Sequence, residues 1–298
     1  MGLWLWKVDK LLNSGFIIGT GFSKGNDNAQ LREVTRMAPH THHLPRGDKL
    51  SLESEAFRRP VNSSNKSIRM ALPPQIAQTA EFDLLSVERI LSGLWQPKVI
   101  NPIEIPRAPE NFFYENYSEA FTRSYFYKNL YKCLIASHLL KHHLAGISQV
   151  TDLGAGTGVF GIALSMICRL ESMTMIDRSY RQIENAKIIF ERLNFPSHIE
   201  YQVGDFSSLD TTGLDVICSY ALGESVCEKF DVLQLIRKSK TFTLIDTPFL
   251  ISLLEPIAKE MDLRVVSGVI EFYAGEEISH LIEGGGGRFA YFHSSGPK

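Results

Sequence analysis

Residues 151–161 read TDLGAGTGVFG, four glycines in eleven residues. They stand at 154, 156, 158 and 161 and spell two overlapping patterns. Gly156, Gly158 and Gly161 give G-x-G-x-x-G, a dinucleotide-type turn. Asp152, Gly154, Gly156 and Gly158 give D-x-G-x-G-x-G, which points to a different nucleoside ligand. Either way, glycines between a strand and a helix let the backbone approach a ligand, with helix N–H groups aimed at it. A lone G-x-G-x-x-G is a weak signal, so its surroundings decide. A dinucleotide strand runs apolar into its first glycine. Here Asp152 interrupts QVTDL two residues before Gly154. A carboxylate there is a poor core residue. It suits a cationic ligand, such as the ammonium end of an amino acid, or it caps its own loop.

Outward from the loop, β-branched runs alternate with helical stretches. The runs are QVTDL, SMTMID, HIEYQVGD, GLDVICSY and KTFTLIDT, with helices near 158–170, 180–193, 222–238 and 250–261. Such alternation predicts parallel strands joined by crossover helices. LRVVSGVIEFY and GRFAYFHSS follow with EGGGG between them. Lacking a long helical connection, they should pair antiparallel. The second run ends on Asp177, 25 residues after Asp152, where an acid can accept ribose hydroxyls. The third ends on Asp205 and Phe206, an acid for an adenine amino group beside an apolar side chain for its ring. Asp205 as a plain turn residue is the simpler alternative.

D-x-G-x-G-x-G, the acid after the second strand, the D-F after the third and the final hairpin together resemble the class I S-adenosylmethionine-dependent methyltransferases, over roughly residues 110–298. The resemblance implies an α/β fold with a seven-stranded sheet of order 3-2-1-4-5-7-6, the last strand antiparallel, and helices on both faces. S-adenosyl-L-methionine is the implied cofactor. Gly154, Gly156 and Gly158 would face its methionine part, with Ala155 in the same loop and Asp152 near the amino group. Asp177 would hold the ribose beside Arg178, Asp205 and Phe206 the adenine, and Ser219 would sit at the fourth strand end. The Asn/Asp-Pro-Pro-aromatic tetrad of many amino-group methylases is absent there; Ser219, Tyr220 and Ala221 stand in its place. Cys218 also lacks the preceding proline of a cytosine-C5 nucleophile.

The chain has 298 residues, 44% hydrophobic and 21% charged, with no run long enough for a membrane span. Its N-terminus, MGLWLWKVDK, lacks the order of a secretory signal, so a cytoplasmic protein is expected. The net charge of −2 is uneven: residues 1–80 carry +5 and the remainder −7. Residues 1–75 read as a polar, mildly basic extension, 76–147 as a helical lid or substrate-side region, and 148–298 as the cofactor-binding catalytic domain. Cys133, Cys168, Cys218 and Cys227 form no C-x-x-C and read as reduced thiols in or near the core. HTHH at 40–43 has no partners at ligand spacing, so no metal site is expected.

NFFYENYSEAFTRSYFYKNLYKCL, residues 111–134, places Phe113, Tyr117, Phe121 and Tyr125 four apart on one helical face. Packing on the sheet domain explains such a stripe. In the resembled family, a tyrosine-bearing helix before the first strand can instead lie over the cofactor, with Tyr114 and Tyr117 as that element, suited to a sulfonium. Methyl transfer needs alignment and a deprotonated nucleophile. Glu224 and Tyr220 are the catalytic candidates; Glu224 equally suits a helix first turn. His138, His142, His143, His280 and His293 are further bases, each readable as structural or exposed. The expected acceptor is a small molecule, methylated at O, N or C. RNA or protein docked on the basic extension is the alternative, and a non-catalytic cofactor-binding subunit the third. No membrane partner is expected, and oligomeric state is not readable.

Overall fold

The computed structural model describes residues 69–94, 114–195, 198–206, 209–222 and 232–297. The elements run β1 (Arg69–Ala71), α1 (Pro74–Leu91), α2 (Tyr114–Leu139), α3 (Lys141–Leu144), β2 (Gln149–Leu153), α4 (Val159–Ser165), β3 (Ser172–Asp177), α5 (Tyr180–Arg192), β4 (His198–Val203), β5 (Asp215–Ser219), α6 (Val232–Lys238), β6 (Thr241–Asp246), α7 (Pro248–Glu260), β7 (Leu263–Tyr273) and β8 (Gly286–Pro297). One eight-stranded sheet has the order β1-β7-β8-β6-β5-β2-β3-β4. Strands β2 to β6 pair parallel, while β8 runs antiparallel to both β6 and β7. Counted from the glycine-loop strand, this contains 3-2-1-4-5-7-6 with the last strand antiparallel, as the resemblance implies.

An eighth strand extends that sheet. Arg69–Ala71 pairs parallel with Val269–Glu271 at the sheet edge. Its residues fall in the stretch read as a polar extension, so the tail of that stretch is part of the sheet. The rest of the extension, residues 1–68, lies outside the described residues.

Strand side chains alternate between two cores, one on each face of the sheet. Ile217 and Ile245 face one core with α1, α2, α4 and α5. Val216, Cys218, Phe242 and Leu244 face the other with α6 and α7. Helix α5 shows the local logic: Ser179 caps it by accepting from the Gln182 amide, and Ile183, Ala186, Ile189 and Phe190 form its buried stripe. Helix α2 is more than a cover. Leu130, Tyr131, Cys133, Leu134, Ile135 and Ala136 are fully buried, and each large apolar one contributes about 1.5–3 kcal/mol. Region 76–147 thus helps build the core of the catalytic body.

Candidate functional site

The site forms where β2, β3, β4 and β5 end. Gly154, Gly156 and Gly158 have φ of +61°, +53° and +76°, a region that L side chains enter only under strain. A Cβ at Gly154 would lie 2.2 Å from the Ala221 Cβ, and one at Gly158 would lie 2.4 Å from the Phe190 ring. A Cβ at Gly156 would meet nothing within 4 Å. Two glycines therefore let the loop pack on the protein, and the middle one borders open space. Gly161 belongs to packing as well: its Cβ would strike the Met173 sulfur at 2.3 Å. The glycine that completes G-x-G-x-x-G thus serves helix–strand contact.

Asp177 orders this loop. Its Oδ2 accepts the Gly156 N–H and its Oδ1 the Ser179 N–H, both at 2.8 Å. A carboxylate has about four lone-pair directions, and these two amides take one on each oxygen. Asp152 lies below the loop, 1% exposed, with no hydrogen-bond partner at either oxygen. Burial pushes its carboxyl well above the usual range, and the Asp177 charge pushes it further. The nearby Gly161 amide, outside hydrogen-bonding geometry, offsets this only in part. An uncompensated buried carboxyl calls for a cation or donor.

One cavity gathers most of the predicted residues. Gly154, Ala155 and Gly156 form its floor, with Asp177 and Arg178 beside them. Asp205, Phe206, Ser219 and Tyr220 line it as well. Asp152 and Gly158 are not in its lining: the first sits beneath the loop and the second turns against Phe190. Glu224 lies outside the described residues, as do the side chains of Tyr114 and Tyr117 at the start of α2. Phe121 and Tyr125, from the aromatic stripe, do line the cavity. None of the five histidines does. His138 pairs with Asp83 at 2.8 Å, His142, His143 and His280 are exposed, and His293 is buried against Thr243 at 3.0 Å.

Other lining residues were missed in the sequence. Thr122, Phe126 and Asn129 extend the α2 wall. Asn185 on α5 fastens that wall by donating to Ser118 Oγ at 2.9 Å and Thr122 Oγ1 at 3.3 Å. Gln182 lines the cavity, is 1% exposed, and has no partner for either amide atom. Ser179-x-x-Gln182 reads as a capping box, in which the glutamine would return to the Ser179 N–H. Asp177 takes that N–H instead, which leaves the Gln182 amide for a ligand.

Tyr220 closes the cavity at the β5 end with φ +57°, unusual for a tyrosine and at home in functional sites. Its N–H donates to the Ile245 carbonyl at 2.9 Å, and its hydroxyl is buried without a partner. Burial, then Asp246 and Cys133, push its phenol well above the usual range. Lys132 Nζ stands 4.5 Å from the Tyr220 ring centroid. Among the described residues no cluster of His, Cys, Asp or Glu could hold a metal, and no helix is long and apolar enough to cross a membrane.

Residues 118–247 match the model of the GidB family, rRNA small subunit methyltransferase G. No curated protein matches the chain. Magnesium protoporphyrin IX methyltransferase (ChlM) from Synechocystis PCC 6803, solved with bound SAM, is 15% identical, with a TM-score of 0.42 over 72% of this chain and 97% of that one. A SAM-dependent O-methyltransferase from Thermotoga maritima is 12% identical, with a TM-score of 0.41 over 55% and 65%. An rRNA methylase from Streptococcus thermophilus is 11% identical, with a TM-score of 0.38 over 54% and 94%. With the family match, the 3-2-1-4-5-7-6 order and the glycine-floored cavity, the chain is a class I S-adenosylmethionine-dependent methyltransferase.

Proposed function

We propose that this methyltransferase methylates a small molecule seated between α2 and the Ser219–Tyr220 end of β5. The open space at Gly156, the orphaned Asp152 carboxyl and the unpartnered Gln182 amide all fit S-adenosylmethionine. Gly154, Ala155 and Gly156 would face its methionine part, with Asp152 beneath its amino group and Gly158 setting the loop. Asp177 would hold the ribose, Asp205 and Phe206 the adenine, and Arg178 and Ser219 the flanks. The bound cofactor supplies a methyl group on a positively charged sulfur. The acceptor's lone pair would take that carbon, with the carbon–sulfur electron pair left on sulfur. The enzyme's own task is alignment and exclusion of water.

The observation that carries the small-molecule reading is the wall itself. Phe121, Tyr125 and Phe126 from α2 line the same cavity as Tyr220 and give it an aromatic wall. Outside residues 1–80 the chain carries −7, opposite to what a phosphate backbone attracts. A second reading has RNA as acceptor, favoured by the family match over residues 118–247 and by the +5 of residues 1–80. Incubating the full chain with methyl-tritiated S-adenosylmethionine and fractionated cell extract separates the two. Label in the low-molecular-weight fraction supports the first reading; label confined to RNA overturns it.

A further inference from the structure

Behind the cavity, where α2 crosses the ends of β5 and β6, lies a charged cluster that cofactor binding does not use. Lys132 Nζ donates to Asn129 Oδ1 at 3.2 Å. An ammonium only donates, so it fixes which end of the amide it meets. The Asn129 Nδ2, with two N–H donors, is left for other partners, and Asn129 lines the cavity. The same ammonium stands over the Tyr220 ring, whose body is also cavity wall. Cavity-facing donors, aromatic faces and a cation behind them suit a flat molecule with negative charge on its reacting atom.

We propose that Lys132, acting through Asn129 and Tyr220 as a positioning residue, makes this end of the cavity a site for planar acceptors that react as anions, a phenolate or enolate oxygen. The inference rests on the small-molecule reading above. The acceptor's proton leaves to water before transfer. The oxygen lone pair then bonds to the methyl carbon, and the carbon–sulfur pair stays on sulfur, so the anion and the sulfonium both become neutral. Lys132 keeps its charge throughout and lowers the acceptor's acid pKa by its field.

The surrounding charges agree. Burial, then Lys128, lower the Lys132 ammonium to about 8, opposed by Cys133 and Asp246. Asp246 is the weakest of these influences, and its Oδ1 already accepts the Thr247 N–H. The acids of α1 that reach α2 act elsewhere: Glu81 on Tyr131, Asp83 on His138 and Glu88 on Tyr127. The Lys132 charge is present at neutral pH and fades as pH rises past about 8.

The test uses the full chain saturated with S-adenosylhomocysteine and 4-nitrophenol as probe, whose phenolate is read by absorbance. Wild type and Lys132→Arg should raise the bound probe's acid dissociation constant at least about tenfold over the free value. Lys132→Met should leave it at the free value. Phenolate affinity should fall above about pH 8 in wild type but not in Lys132→Arg. The neutral analogue 4-nitrobenzyl alcohol, which does not ionise in this range, should bind all three alike, and S-adenosylhomocysteine affinity should not change. Equal ionisation of the probe in wild type and Lys132→Met, or no probe binding by loaded wild type, overturns the inference alone. Failure of wild type to bind S-adenosylhomocysteine overturns the parent reading.

Discussion

Replacing Gly158 and Gly156 separately with alanine should divide the loop's structural role from its ligand role. Both glycines have positive φ, so each alanine costs about 1–2 kcal/mol of backbone strain. At Gly158 the new methyl would also lie 2.4 and 2.8 Å from Phe190 ring carbons and 2.7 Å from the Met175 methyl. Phe190 is 2% exposed and Met175 fully buried, so neither can swing out to solvent. Overpacking of this kind adds about 1–3 kcal/mol. Gly158→Ala should therefore lose about 2–5 kcal/mol of stability, and Gly156→Ala only about 1–2. Binding should show the reverse emphasis. The Gly156→Ala methyl projects into open space at the cavity, where the ligand must approach. S-adenosylhomocysteine affinity should fall at least about tenfold, or 1.4 kcal/mol, in a protein that remains folded. Urea unfolding gives the stabilities and calorimetry the affinities. If the two variants were equally stable to within about 0.5 kcal/mol, the reasoning from Phe190 and Met175 would be refuted.

Three further outcomes are expected. Asp177→Asn leaves either the Gly156 or the Ser179 amide without its acceptor, because the new NH2 cannot accept; calorimetry should show S-adenosylhomocysteine bound at least about tenfold more weakly. Asp152→Asn removes a buried carboxyl with no partner, so the ligand-free protein should melt higher while cofactor affinity drops, and a lower melting point would mean the carboxyl is compensated. His293 is held down at about 4 by burial and by His143, so its contribution is full above about pH 6.5 and is lost as pH falls towards 4. Between those limits it should remove about 2–3 kcal/mol, and urea unfolding of His293→Gln should show a pH dependence smaller by that amount.

The sheet from β2 to β8 was legible because strands and crossover helices carry different periodicities, and because a glycine-rich connection cannot hold a crossover helix. Asp177, Asp205 and Phe206 were legible because strand ends in such sheets converge on one crevice. Strand β1 was not: three residues, Arg69–Ala71, form too short an edge strand to show alternation, and they sit in a polar, turn-rich stretch. Asn129 and Lys132 read as two more polar residues on a long helix. Their meaning comes from how α2 crosses the end of β5, some 90 residues away in sequence. Gln182 was hidden by its own motif, since a capping box assigns its amide to the backbone until Asp177 is seen to occupy that position. The left-handed backbone at Tyr220 likewise comes from tertiary pairing with Ile245.

The methyltransferase assignment turns on what fills the cavity beside Gly156. Calorimetric titration of the full chain with S-adenosylhomocysteine and, separately, with NAD decides it. One-to-one binding of S-adenosylhomocysteine in the micromolar range, with no heat from NAD, is the predicted result. Heat from NAD and none from S-adenosylhomocysteine would contradict it.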